Sequence, residues 1–173
     1  MRVVRNANFE DCAAIAALHV RAWQAVYRGH MPDEFLDRLD IGERTKMWRK
    51  LNVAPNRVLL VMDDGDGTIS GFCDLIPSRD GDAKPTTGEI SAIYVSPKKW
   101  GQGIGQELLS VAAGRAREKG FSEVTLWVLH ANQRARKFYE KFGFVLDGSE
   151  KEDNRWIDFV IREVRYRKPL QTS

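Results

Sequence analysis

Apolar residues along this chain alternate between two periods, and the changes of period outline its elements. Arg2 to Arg5 reads as a short first strand. Asn8, with Asp11 three residues on, forms an approximate capping box. Ile15, Leu18, Ala22 and Val26 then run down one helical face that continues through Tyr27. Gly29 and Pro32 interrupt the pattern. A second helix is predicted from Asp33 onward, with Phe35, Leu36, Leu39, Met47 and Trp48 as its apolar stripe.

Strand-like runs follow. Arg57 to Asp63 and Thr68 to Ile76 flank the turn Asp63-Asp64-Gly65-Asp66-Gly67 and predict a hairpin. Its Asp-x-Asp-Gly lacks the remaining ligands of a calcium loop and reads as a turn. Pro77 to Gly88 is a polar loop of the kind that tends to be mobile and to border a site. Glu89 to Val95 is a strand. A helix begins at Ile104, with Leu108, Val111, Ala112 and Ala116 on one face, and Gly120 ends it. Val124 to Leu129 is a further strand. Asn132 caps a helix whose Ala135, Phe138, Tyr139 and Phe142 share a face. Phe144 to Leu146 and Trp156 to Tyr166 are two last strands, joined by the polar stretch Gly148 to Arg155. The order β-αα-βββ-α-β-α-ββ predicts one α/β domain on a mixed sheet.

Composition narrows the class. A chain of 173 residues predicts a single domain over 1–173, with Pro169 to Ser173 as a short tail. The net charge of +3 is too small and too scattered to argue for nucleic acid. The basic run Arg162 to Lys168 alternates with apolar residues and reads as one solvated strand face. Cys12 and Cys73 sit in apolar patterns without metal spacing and read as buried thiols. His19, His30 and His130 form no ligand cluster, so no metal is expected. No apolar run approaches the roughly 18 residues of a membrane span, and the N-terminus has no signal-peptide pattern. A cytoplasmic protein is the expectation. Between Trp23 and Leu39, aromatic and acidic residues crowd together. They suit a wall for a cationic amine, but an amphipathic helix pair with packed aromatics and solvated acids is the better account of each residue taken singly.

Candidate chemistry concentrates where Glu89–Val95 runs into Ser96-Pro97-Lys98-Lys99-Trp100-Gly101-Gln102-Gly103-Ile104-Gly105-Gln106. A strand ending in a glycine turn that opens a helix aims several unpaired N–H groups at one point. The helix adds about half a positive charge there, so the turn suits a phosphate. The Gly-Lys-Ser/Thr of a P-loop is missing, and the third glycine of a dinucleotide fingerprint is replaced by Gln106. The segment Trp100-Gly101-Gln102-Gly103-Ile104-Gly105 instead resembles the pyrophosphate-binding Arg/Gln-x-x-Gly-x-Gly/Ala of the GNAT acetyltransferase superfamily. Trp100 departs from that pattern, standing where Arg or Gln is usual. Downstream, Asn132-Gln133-Arg134-Ala135-Arg136-Lys137-Phe138-Tyr139-Glu140-Lys141-Phe142-Gly143-Phe144 closely resembles the family's Asn-x-x-Ala-x-x-Phe-Tyr-x-x-x-Gly-Phe. The two motifs are specific jointly, and the resemblance spans nearly the whole chain.

The resemblance implies a single-domain GNAT-like α/β fold, its mixed sheet splayed at a cofactor slot and flanked by about four helices. It implies acetyl-CoA as cosubstrate, with the pantetheine arm along Ile93, Tyr94 and Val95. The pyrophosphate would rest on Gln102, Gly103, Ile104, Gly105 and Gln106, and Asn132 would bond the arm. An amine would attack the thioester directly, with Glu89 as base and Tyr139 as proton donor to the leaving thiolate. Alternation along the strand sets Tyr94 and Glu89 on opposite faces unless a bulge intervenes. The implied acceptor is a polyamine or other small amine; peptide N-termini and aminoglycosides are alternatives, and a homodimer is compatible with the family. Two other classes are a non-catalytic acyl-CoA sensor and a nucleotide-binding module.

Overall fold

A computed structural model describes residues 1–153 and 159–170. The elements run β1 (Val3–Asn6), α1 (Asp11–Tyr27), α2 (Asp33–Asp37), α3 (Ile41–Asn52), β2 (Val58–Asp63), β3 (Ile69–Pro77), β4 (Thr87–Val95), a 3-10 turn (Pro97–Lys99), α4 (Ile104–Glu118), β5 (Glu123–Leu129), α5 (Gln133–Lys141), β6 (Val145–Asp153) and β7 (Ile161–Pro169). Their strands form one sheet in the order β1-β2-β3-β4-β5-β7-β6. Among the described strands, β4 and β5 alone are parallel neighbours, and the other pairs are antiparallel.

Both sheet faces are covered. α4 and α5 pack Ile104, Leu108, Leu109 and Tyr139 onto Leu60, Met62, Cys73 and Leu75. On the other face, α1 and α3 pack Cys12, Ile15, Ala16 and Trp48 onto Leu59, Val61 and Phe72. Residues 69–76 of β3 are buried on both sides, Ser70 and Asp74 being the polar side chains among them. Gly71 allows α4 to lie close: a Cβ there would stand 2.9 Å from side-chain carbons of Ile104 and Leu108.

Helix starts follow the chain's local chemistry. The Asn8–Asp11 box forms reciprocally, with Asp11 N–H donating to Asn8 Oδ1 at 2.9 Å and Asn8 N–H to Asp11 Oδ2 at 2.8 Å. The single helix expected from Asp33 is instead two. Asp40 breaks it, because its carboxylate accepts the Glu43 N–H at 2.7 Å and so starts α3 afresh. Five helices therefore stand where about four were expected.

Three other expectations change. Gly148 to Asp153 is not a connecting turn but the continuation of β6, with Gly148 at φ +87° where the register with β7 slips. The part of the expected final strand and turn at residues 154–158 lies outside the described residues. Pro169 ends β7, and Leu170 is buried and donates its N–H to Ser122 O at 2.8 Å, so these two do not belong to a tail. The basic face of β7 is not simply solvated either. Arg165 is 4% exposed and reaches Asp80, Asp82 and Asp147. Those contacts hold the polar loop after β3 against the sheet, and Trp127 Nε1 adds a bond to Asp80 at 3.0 Å. Among the described residues, no helix is long and apolar enough to cross a membrane.

Candidate active site

The cleft exists because β4 and β5 part company. Their pairing covers Thr87–Ile90 and Glu123–Leu126 and then stops. Beyond Ile90 the edge of β4 faces open space, and a cleft of about 610 Å³ opens between it, β5, α1, the glycine turn and α5.

A bulge helps β4 to bend away. Asp74 pairs with Ala92 and Leu75 with Ile90, so Ser91 is left over. The extra residue reverses the alternation, and Ile90 and Ile93, three apart, pack in the same core layer. Glu89 and Tyr94 consequently share the α1 side of the sheet, where strict alternation would separate them.

At the glycine turn, Gly101 and Gly103 both adopt φ +79°, a conformation that favours glycine. Gly103 is the N-cap of α4, and the first bond of the helix goes from Glu107 N–H to Gly103 O at 3.0 Å. The N–H groups of Gly101 to Gln106 have no acceptor among the described residues, and most of these residues line the cleft. Arg2, just ahead of β1, braces the turn, donating to Gln102 O at 3.0 Å and pairing with Glu107. Gly105 packs against α5, where a Cβ would lie 3.1 Å from Phe138 Cζ. Trp100 has its own role. Its Nε1 donates to Val95 O at 3.0 Å, and its ring carries the Arg134 guanidinium 3.6 Å from the centroid. The departure at this position thus brings a cation from α5 over the turn.

The expected site residues divide cleanly. Ile93, Tyr94, Val95, Gly103, Ile104, Gly105, Gln106, Asn132 and Tyr139 all line the cleft. Gln102 stands at the turn without lining it. Asn132 caps α5 through Oδ1, which accepts the Ala135 N–H at 3.1 Å. Tyr139 is 8% exposed, and burial raises its phenol pKa. Its hydroxyl has no hydrogen-bond partner among the described residues, yet it is not sealed from the cleft. Glu89 lies elsewhere. It is 3% exposed, outside the cleft lining, and Arg79 engages both carboxylate oxygens, at 2.5 Å and 3.0 Å.

The cleft holds residues that pattern reading did not single out. Ser91, the bulge residue, lines it and donates to the buried Asp74, which also accepts Arg57 Nη1 at 2.6 Å. Asp74 Oδ1 has no partner, and burial raises the carboxyl pKa. At the α1 end, Tyr94 Oη accepts Trp23 Nε1 at 2.9 Å and stands 3.5 Å from Tyr27 Oη. Lys99, Arg134 and Lys141 line the cleft, and among the described residues no Asp or Glu does.

The acetyltransferase (GNAT) family model matches residues 11–144, which includes the cleft's glycine turn and α5. The chain belongs to that family. This GNAT chain is 31% identical over 132 residues to YuaI, an uncharacterised N-acetyltransferase of Bacillus subtilis, covering 76% of this chain and 74% of the relative. It is 25% identical over 166 residues to the L-amino acid N-acyltransferase MnaT of Escherichia coli, covering 94% and 92%. Its fold matches that of the PaiA N-acetyltransferase of Thermoplasma acidophilum, solved in complex with coenzyme A, with a TM-score of 0.77, 22% identity, and coverage of 98% and 99%. The splayed mixed sheet is therefore the family's fold, and the chain is a GNAT N-acetyltransferase.

Proposed function

We propose that this enzyme transfers the acetyl group of acetyl-CoA to a small primary amine by direct attack within a ternary complex. The observation that carries the reading is an unpaired strand edge beside a turn of unpaired N–H groups. An extended pantetheine arm needs an edge to pair with, and β4 offers one from Ile93 to Val95. Ser96 N–H donates to Ser70 O on the β3 side. Alternation therefore turns the Val95 N–H toward the slot, where it would polarise the thioester carbonyl.

The other roles follow from position. The amides of Gln102 to Gln106 would receive the pyrophosphate, with Arg134 supplying a nearby charge. With Oδ1 committed to the helix cap, the Asn132 side-chain NH₂ is left to bond the arm. Tyr139 presents a neutral phenol inside the cleft, and its raised pKa keeps the proton available for the leaving thiolate.

An alkylamine must first lose a proton, which costs about 4.6 kcal/mol at pH 7. Glu89 already has its charge answered by Arg79 and does not line the cleft. Ser91 lines the cleft and donates to the buried Asp74 behind it, whose Oδ1 has no partner although Arg57 holds Oδ2, and this placement favours the Ser91–Asp74 pair over Glu89 as the proton's route. Direct transfer predicts release of free thiol from acetyl-CoA only when an amine is added. Tight binding of acetyl-CoA with no release across amines, amino acids, peptides and aminoglycosides would instead support a sensor.

A further inference from the structure

Beside the glycine turn the chain places a cation where the local electrostatics oppose one. Arg134 stands in the first turn of α5, two residues after the Asn132 cap, and that turn holds no acidic residue. A helix N-terminus carries about half a positive charge, so an arginine there is disfavoured. Helix chemistry alone would favour an Asp or Glu at this point. Arg134 also lines the cleft, together with Gly101, Gly103 and Gly105 of the turn.

Trp100 is what holds Arg134. The guanidinium carbon lies 3.6 Å from the centroid of the Trp100 ring, a contact distance that brings the two faces together. Trp100 is itself fixed at both ends. Its Nε1 donates to Val95 O at 3.0 Å, and its backbone N–H closes the 3-10 turn onto Pro97 O at 3.5 Å. Core packing does not account for this tryptophan, which is 36% exposed and lines the cleft. Stacking occupies the flat face of a guanidinium. The five N–H donors lie in its plane, at the rim, and stay available to an anion.

Resting on the acetyltransferase reading above, we infer that Trp100 is a positioning residue, which holds the Arg134 guanidinium beside the glycine turn for the pyrophosphate of acetyl-CoA. An arginine free in water loses much rotamer freedom when it binds. Stacked on Trp100, it has lost part of that freedom beforehand, and less affinity is given up on binding. The cofactor's phosphates are then gripped by backbone amides on one side and by this side-chain couple on the other. Trp100 itself contacts the ring's cation and not the phosphate, so its effect on the cofactor passes through Arg134.

A double-mutant cycle read by calorimetry tests this, with coenzyme A and phosphate-free pantetheine as the two ligands. Arg134→Ala should weaken coenzyme A binding by about tenfold to a hundredfold, the range for a lost charged hydrogen bond. Trp100→Ala should weaken it by about threefold to tenfold in the wild type, the scale of a cation–π contact, and by less than about twofold once Arg134 is gone. Trp100→Phe keeps a ring without the Nε1 donor and should restore most of the loss. Pantetheine affinity should change less than about twofold throughout. Equal losses from Trp100→Ala with and without Arg134 would show that Trp100 only braces the end of β4, and would overturn the inference. Unchanged coenzyme A affinity in Arg134→Ala, or equal losses for pantetheine, would also overturn it while leaving the acetyltransferase reading standing. No binding of coenzyme A to the wild-type protein would overturn both.

Discussion

The two walls of the cleft are made of different material. On the α4 side, the groups that would hold the cofactor are backbone amides presented by glycines at φ +79°. On the α1 side the wall is made of side chains, Tyr27 and Tyr94, backed by Trp23 and the buried His19. Backbone groups recognise what every acetyl-CoA has in common. Side chains can be exchanged without disturbing the turn, so one scaffold can serve many acceptors.

The sharpest way to break this contrast is Gly103→Val. A β-branched residue cannot readily adopt φ +79°, yet a Cβ there meets nothing closer than Arg2 Nη2 at 3.8 Å. Affinity for acetyl-CoA measured by calorimetry should fall by about a hundredfold or more, because misdirected amides lose several bonds to phosphate at once. The circular dichroism spectrum should be unchanged. Normal affinity would remove the turn from the binding site.

Tyr139→Phe should act on turnover alone. Loss of a positioned proton donor predicts a fall in kcat of about a hundredfold, with the KM for acetyl-CoA within about twofold. Unchanged kcat would leave Tyr139 as a packed aromatic.

Acid should separate the walls. Burial pulls His19 down to about 3, and its Nδ1 accepts Trp48 Nε1 at 3.1 Å. The free imidazole titrates near 6.5, so the unfolded chain binds this proton first. The stability tied to neutral His19 is complete above about pH 6.5 and is lost as pH falls toward 3. Thermal melts of the wild type should soften over that range, and His19→Gln should remove that part of the slope. The glycine turn contains no titrating side chain of its own and should not follow His19.

The smallest effect concerns Glu89. Because Arg79 answers its charge outside the cleft, Glu89→Gln should leave kcat within about threefold and the pH–rate profile in place. Asp74→Asn should remove the acidic limb of that profile, with recovery as the pH approaches the pKa of the amine. If Glu89→Gln removes that limb instead, the base belongs to the far end of β4.

What could be read in the chain follows the same division. The strand, the glycine turn and Asn132 through Phe144 are local patterns, and the structure assembles them as their spacing implies. The Ser91 bulge was not legible, because a register slip depends on how β3 pairs with β4 and has no required residue type. Arg165 resembled any alternating surface cation, since its carboxylate partners Asp80 and Asp82 lie more than 80 residues away. The split between α2 and α3 could have been found, since Asp40 followed three residues later by Glu43 is a capping pattern.

The four-rung seam between β4 and β5 also has a mechanical meaning. Strands β1–β4 and strands β5–β7 form two half-sheets held along a short hinge, and a cofactor laid on the exposed edge acts as a splint across it. A ligand that binds only the folded state adds about 2.7 kcal/mol at a hundred times its Kd, comparable with burying one large apolar side chain. Without cofactor, the two half-sheets are joined by those four rungs and by the elements packed across them alone.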